Sequence, residues 1–216
     1  KKTTTVINGG IFNGTYAMYT TFYKAEDSGN TDITINDGTF NGTSAALFLY
    51  NSKVGAAEFD AAVKGGTFNG GVYAYIKNAE DTQVDLPVIS GGIFSVEVNE
   101  ANCVADFIPV QNADGTYSVK PYIASVGDVK YVSLAEAVAA GGEVKLLGDI
   151  TLTAGVTVAK DAAVVLDLNG KTVSLSEAAT ETSALITNNG TLTIKDTVGG
   201  GKLTYASSIG NTGYST

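Results

Sequence analysis

One motif, written four times at a near-constant interval, limits what this chain can fold into. It reads Gly9-Gly10-Ile11-Phe12-Asn13-Gly14, then Asp37-Gly38-Thr39-Phe40-Asn41-Gly42. It returns as Gly65-Gly66-Thr67-Phe68-Asn69-Gly70 and as Gly91-Gly92-Ile93-Phe94-Ser95-Val96. The phenylalanines fall at 12, 40, 68 and 94, in steps of 28, 28 and 26. In β-rich sequence a period this long predicts a solenoid, each repeat forming one coil that buries its apolar face against the next.

Aligned on the motif, the sequence falls into columns. Ile7, Ile35, Val63 and Ile89 stand three residues before the second glycine, β-branched throughout and therefore expected to point inward. The phenylalanine column is expected inward as well. The two columns are five residues apart, and strict alternation cannot put both on one face. The backbone must bend between them, and the glycine pair is where bending costs least. A second apolar run follows each corner, with Tyr19, Leu47 and Tyr75 read as column mates at steps of 28. Polar excursions of varying sequence close each coil. Asn13, Asn41 and Asn69 share a column too. Their amides at about 4.8 Å spacing would form a hydrogen-bonded ladder; the alternative is a polar row that reads a repetitive ligand.

The fourth motif departs from the rule, since Val96 replaces the closing glycine and residues 97–107 find no repeat partner. Phe107-Ile108-Pro109-Val110, Asn112-Ala113-Asp114-Gly115 and Thr116-Tyr117-Ser118-Val119 then spell a hairpin, read as a cap over the last rung. After Pro121 comes a different opening. Ser133-Leu134-Ala135-Glu136 is a capping box, and Gly141-Gly142 ends the short helix it starts, read as a plug for a second solenoid. Strands are expected at 144–147, 150–153, 156–158, 164–168, 173–175, 185–186, 192–194 and 203–205. Leu166 and Leu168 are matched with Leu192 and Ile194, each 26 residues on. The expected organisation is therefore residues 1–120, the closing part of one β-helix, and residues 121–216, the opening part of another.

Composition narrows the functional classes. Glycine is abundant (26) and proline scarce (3), which suits many tight turns; with Thr, Val, Ile and Tyr plentiful, the class is all-β. The net charge is −9, with no histidine and no arginine, so a phosphate-binding groove cannot be assembled and nucleic acid and anionic membrane are poor partners. No stretch approaches 18 consecutive apolar residues, so no span is expected. The lone Cys103 allows no internal disulfide and is read as a small buried apolar residue, an intermolecular bridge being the alternative.

Taken together, the "GGTFNG" turns, the "GGIFS…NADGTYSV" ending, the "SLAEAVAAGGEVKLLGDITL" opening and "VVLDLNGKTVSL…GTLTIKDTVGGGKLTY" resemble the right-handed parallel β-helix regions of large secreted surface proteins. Such proteins belong to gut Gram-positive bacteria, and the fold is similar to that of pectate lyases. The resemblance covers nearly the whole chain. It implies an all-β, right-handed parallel β-helix with coils of about 26–28 residues and one short capping helix. It also implies a secreted, cell-surface, adhesin-like setting. The leading expectation is a non-catalytic structural or adhesin module, one segment of a longer repetitive extracellular protein or fibre. The alternatives are a polysaccharide-binding module and, further off, a polysaccharide lyase.

Candidate chemistry is sparse. Lyases and hydrolases of this fold resemble one another in using clustered carboxylates with a basic residue, and glycoside hydrolysis needs two carboxylates facing one sugar bond. Here Asp37 stands alone in its column, and Asp32, Asp60 and Asp85 sit near coil starts as turn residues. No catalytic residue and no cofactor is assigned. Asp161, Asp167 and Asp196 could be combined into a Ca²⁺ site, but no calcium-loop spacing is present, and Asp167, between Leu166 and Leu168, is expected to face outward. No metal is assigned. Asn13, Asn41 and Asn189 fit the glycosylation sequon but read as turn residues. The Thr39 and Thr67 column carries Ile11 and Ile93 in its other coils, so no flat threonine array exists.

Tyrosines crowd the second run. Half must be buried, and Tyr23 and Tyr50, beside the polar excursions, are the candidates for contact with host or cell-wall glycans. The chain opens at Lys1 within a repeat and reads as a piece of a longer whole. From Gly201 to Thr216 is 15 residues, and Gly10 lies 10 into the chain, so joining the ends would set the two glycines 25 apart, close to one period. The expected partners are thus neighbouring copies or segments of the same protein, end to end, with a cut fragment of a non-periodic protein as the alternative.

Overall fold

The computed structural model describes residues 3–22, 31–51, 59–77, 82–176 and 184–205. Strand makes up 61% of it and helix 6%, arranged as a β-solenoid of about 6 turns, so the all-β parallel β-helix class holds. The chain divides into two compact units, Lys1–Pro121 and Tyr122–Thr216.

In the first unit β1 (Thr3–Phe22) and β2 (Thr31–Asn51) are long strands that run through the corners. β3 (Phe59–Val63), β4 (Thr67–Asn69) and β5 (Val72–Lys77) form the next coil, followed by β6 (Gln83–Asp85) and β7 (Ile93–Phe94). A 3₁₀ turn (Glu100–Asn102), β8 (Phe107–Gln111) and β9 (Tyr117–Pro121) complete the unit. Parallel pairing puts Ile7 on Ile35, Ile35 on Val63 and Val63 on Ile89. It likewise puts Phe12 on Phe40, Phe40 on Phe68 and Phe68 on Phe94. Both columns point inward, as their chemistry requires: Ile35, Phe40, Phe68, Ile89 and Phe94 have no exposed surface. The rings stack nearly parallel, with centroids 4.8, 4.9 and 4.9 Å apart, the rung spacing of a sheet.

The glycines between the columns explain the motif. Gly10, Gly38, Gly66 and Gly92 all have positive φ, at 108°, 137°, 102° and 111°, a region that side-chain-bearing residues rarely enter. The third glycine answers to space instead: a Cβ on Gly42 would lie 1.8 Å from the Ala45 carbonyl oxygen.

Three expectations are corrected. Tyr19, Leu47 and Tyr75 do not share a column; the partners are Tyr19, Phe48 and Tyr73, flanked by Met18, Leu47 and Val72. The cause is coil length. Leu47 lies five residues after Gly42, Met18 four after Gly14, and Val72 only two after Gly70, so a fixed step of 28 slips out of register. Second, residues 97–107 do have a repeat partner, because Cys103 bridges Ile89 and adds a rung to the β-branched column. Third, in the second unit Leu192 pairs with Val164 and Ile194 with Leu166, a step of 28.

That second unit opens with a hairpin, β10 (Ala124–Val126) and β11 (Val129–Tyr131), then α1 (Leu134–Ala140). The Ser133 hydroxyl accepts from the Glu136 N–H at the start of α1, and Gly141, at φ 77°, ends it. Leu134, Ala137 and Val138 are buried in the core cluster with Val144, Leu146 and Val156. Three parallel sheets follow. The first adds β12 (Gly142–Leu146), β15 (Ala163–Asp167) and β18 (Thr191–Lys195) to the hairpin. The second holds β13 (Ile150–Leu152), β16 (Thr172–Leu175) and β19 (Lys202–Tyr205), and the third β14 (Val156–Val158) and β17 (Ile186–Asn188).

Phe68 has a stacked ring on each side, whereas Phe12 has Phe40 on one side and is half-buried. Phe68→Ala is expected to cost about 3–5 kcal/mol and Phe12→Ala clearly less. Urea unfolding of the two variants checks this; equal losses would mean that the ring stack does not carry the core.

Candidate functional site

Two surfaces of the first unit repeat from coil to coil. The first is an amide ladder. Asn41 Nδ2 donates to Asn13 Oδ1 at 2.7 Å, and Asn69 Nδ2 donates to Asn41 Oδ1 at 2.7 Å. A side-chain amide carries both a donor and an acceptor, so it can repeat along a column without limit. A second pair, Asn36 Nδ2 to Asn8 Oδ1 at 2.7 Å, was not read from the sequence although both stand two residues before the second glycine, because Lys64 and Ser90 follow in that column. With amide facing amide, the ladder is built for structure rather than for reading a ligand.

The second surface is aromatic. Alternation in β2 sends Leu47 and Leu49 inward with no exposed surface, and so turns Phe48 and Tyr50 outward. The same alternation buries Ala74 and turns out Tyr73 and Tyr75. Tyr19 lies on Phe48 with centroids 5.3 Å apart and planes at 24°; Tyr73 follows at 5.7 Å and 52°. Tyr16 meets Phe48 edge-on at 5.6 Å, and Tyr50 packs on Tyr75 at 4.8 Å. Tyr16, Tyr19 and Tyr73 are 46%, 45% and 47% exposed, so nearly half of each ring is in water. Of the two candidates, Tyr50 lies half-buried at the margin of this cluster, and Tyr23 lies outside the described residues. The more exposed rings were missed because the register slip hid their shared column. The signal that finds them is local: the aliphatic residues at 47, 49 and 74 mark the inward positions.

The carboxylates of the second unit are engaged with backbone. Asp167 is 2% exposed, not outward as expected, because the chain turns a corner at Asn169 and Gly170 (φ 50° and 75°) and alternation ends there. Its oxygens accept from the Asn169 N–H (3.0 Å), the Thr197 N–H (3.1 Å) and the Thr197 hydroxyl (2.9 Å). Burial pushes this carboxyl up, but those donors and the Lys195 ammonium outweigh it and hold it below the usual carboxylate range. The Gly170 and Gly201 N–H groups, at 2.7 Å each, with Gly199 at 3.1 Å, hold Asp196 low as well, against its partial burial and the Asp167 charge. Asp161 stands in a turn at φ 66°. Among the described residues no three His, Cys, Asp or Glu side chains gather as a metal site would require. Cys103 is buried, and burial with the Glu100 charge pushes its thiol up to about 11, which leaves it little thiolate to react. No helix among the described residues is long and apolar enough to cross a membrane.

Because both carboxyls are depressed in the fold, the stability they supply is present above the unfolded value of about 3.9 and is lost as pH falls through the folded values. Thermal unfolding should show the second unit weakening as pH falls below about 4. The double variant Asp167→Asn, Asp196→Asn should be less stable at neutral pH and flatter across that window. A variant with the wild-type pH slope would remove these carboxylates from the account.

Comparison with family models, with curated proteins and with solved structures finds no match to this chain.

Proposed function

We propose that the chain is a non-catalytic structural module of a repetitive extracellular protein, displayed at a cell surface in the manner of an adhesin stalk. Its coils meet neighbouring copies or segments of the same protein end to end. The observation that carries this reading is the outer edge of β1. Among the described residues this 20-residue strand pairs only with β2, and Ile7, Phe12, Ala17 and Met18 are only partly covered. What completes such an edge is another coil of the same pattern, with a ring over Phe12 and an amide over Asn13; an uncovered edge is a site for association. The sequence resemblance to surface β-helix regions points the same way. The engaged state of Asp167 and Asp196 supports the non-catalytic part, since a glycosidase or lyase carboxylate must be open to its substrate.

Light scattering over a concentration series tests the assembly. Mass that rises with concentration is expected, and Phe12→Asp together with Asn13→Asp should suppress the rise. A monomer at every concentration would remove the end-to-end partner. An absorbance assay for unsaturated products on acidic polysaccharides tests the other half, and turnover by the purified chain would overturn the non-catalytic reading.

A further inference from the structure

Independently of any stalk role, we propose that the outward aromatic face of the first unit binds an uncharged polysaccharide chain lying along the column Tyr19, Phe48, Tyr73. This face differs from the other outward columns of the same unit. Among them, Ile11, Thr39, Thr67 and Ile93 alternate between aliphatic and hydroxyl side chains and carry no ring, and Asn13, Asn41 and Asn69 bind one another. Here six aromatic side chains lie side by side, three of them nearly half exposed, on a rigid sheet whose inner face is packed. A contiguous exposed apolar patch of this kind marks a contact surface.

Three observations select the occupant. Five of the six rings are tyrosines, so the patch pairs apolar ring surface with a rim of phenolic hydroxyls. A pyranose offers the counterpart, an apolar C–H face edged by hydroxyls. Next, the patch provides nothing for an anionic chain. Lys77 and Asp85, one of each sign, stand at its margin, and the net charge of −9 with no arginine repels acidic polysaccharides. Last, the column presents one ring per coil, with centroids 5.3 Å apart from Tyr19 to Phe48 and 5.7 Å from Phe48 to Tyr73, a repeating apolar surface that suits a repeating chain.

Tyr73 leans its ring edge over Gly71: a Cβ there would lie 2.8 Å from Tyr73 Cε2, 3.0 Å from its hydroxyl oxygen and 3.2 Å from the Ser44 carbonyl oxygen. Gly71→Ala therefore moves this ring without deleting it, since the nearest atoms are the far end of a side chain.

The full chain is run in native gels containing mixed-linkage β-glucan, xyloglucan or galactomannan, with polygalacturonate as the acidic comparison. Binding is also followed by tyrosine fluorescence, which no tryptophan obscures in this chain (Trp 0, Tyr 11). Retardation by at least one neutral polysaccharide is expected. Tyr19→Ala or Tyr73→Ala should weaken it about tenfold. Gly71→Ala should weaken it too, with an unchanged far-ultraviolet spectrum, and Tyr122→Ala in the second unit should leave it as it is. Three results would overturn the proposal: no retardation by any neutral polysaccharide, retardation by polygalacturonate alone, or binding indifferent to Tyr19 and Tyr73. A concentration-dependent mass abolished by Tyr73→Ala but retained in Phe12→Asp would overturn it in favour of a lateral contact between copies. Gel retardation and the mass series are separate readouts, so failure of polysaccharide binding leaves the end-to-end reading standing.

Discussion

The column of stacked phenylalanines holds the first unit in register, and the remaining order follows from it. Four rings at 4.8–4.9 Å, within 9° of parallel, fix the height of each coil and its rotation about the axis. Ring stacking alone would tolerate sliding, since aromatic pairs accept offset arrangements over a range of centroid separations. The corner removes that freedom. A positive-φ glycine two residues before every ring aims the backbone the same way in each coil, so the ring enters the core at the same angle each time. Neither device suffices alone: a ring without the corner lacks direction, and a corner without the ring buries little surface.

Once coils are related by translation, whatever stands on one outward position faces its counterpart one rung away. This filters side chains by self-complementarity. An amide passes, because its donor meets the next acceptor, and the ladder at Asn13, Asn41 and Asn69 is the result. A ring passes, because it packs on a ring. A carboxylate meets a like charge, as Asp32 does opposite Asp60, and so is disfavoured but not excluded. At the motif corner Asp37 has only glycines as column mates, and its oxygen accepts from the Gly38 N–H. The second unit uses carboxylates where translation is interrupted: Asp167 and Asp196 hold backbone N–H groups of corners that differ in length.

What the sequence made legible divides along the same line. The solenoid, the two inward columns, the amide ladder, the hairpin and the helix at Ser133 could all be read, because each is marked by residues at fixed offsets from a glycine or a cap. The second run was misread because its distance from the glycine changes from coil to coil, from Met18 to Leu47 to Val72, and a fixed step cannot follow that. Asp167 was misread because alternation is a rule for strand interiors, and the residue sits at a strand end where the chain folds over it. The partnership of Cys103 with Ile89 was missed because only 14 residues separate them, half a coil by the motif's own period.

Both units show how such a stack is brought to a stop. A parallel strand hands the next coil the same pattern of donors and acceptors that it received, so parallel pairing has no natural end. An antiparallel strand changes the pattern and reverses the chain. In the first unit β9 lies antiparallel on β7 and β6 on β5, so the one sheet reverses direction at both of those edges. There the buried Asn102 donates to the Leu86 carbonyl and to the Ala74 carbonyl, which also accepts from the Leu86 N–H. In the second unit β10 lies antiparallel on β12, with α1 packed beside it, and closure falls at the start. Strand reversal thus closes part of one side of each unit: in the first the Ile89 column still ends on a parallel bridge to Cys103, and in the second β13 and β14 have no antiparallel partner among the described residues. Where β6, β9 and β10 lie, a further parallel rung would first have to displace an antiparallel strand.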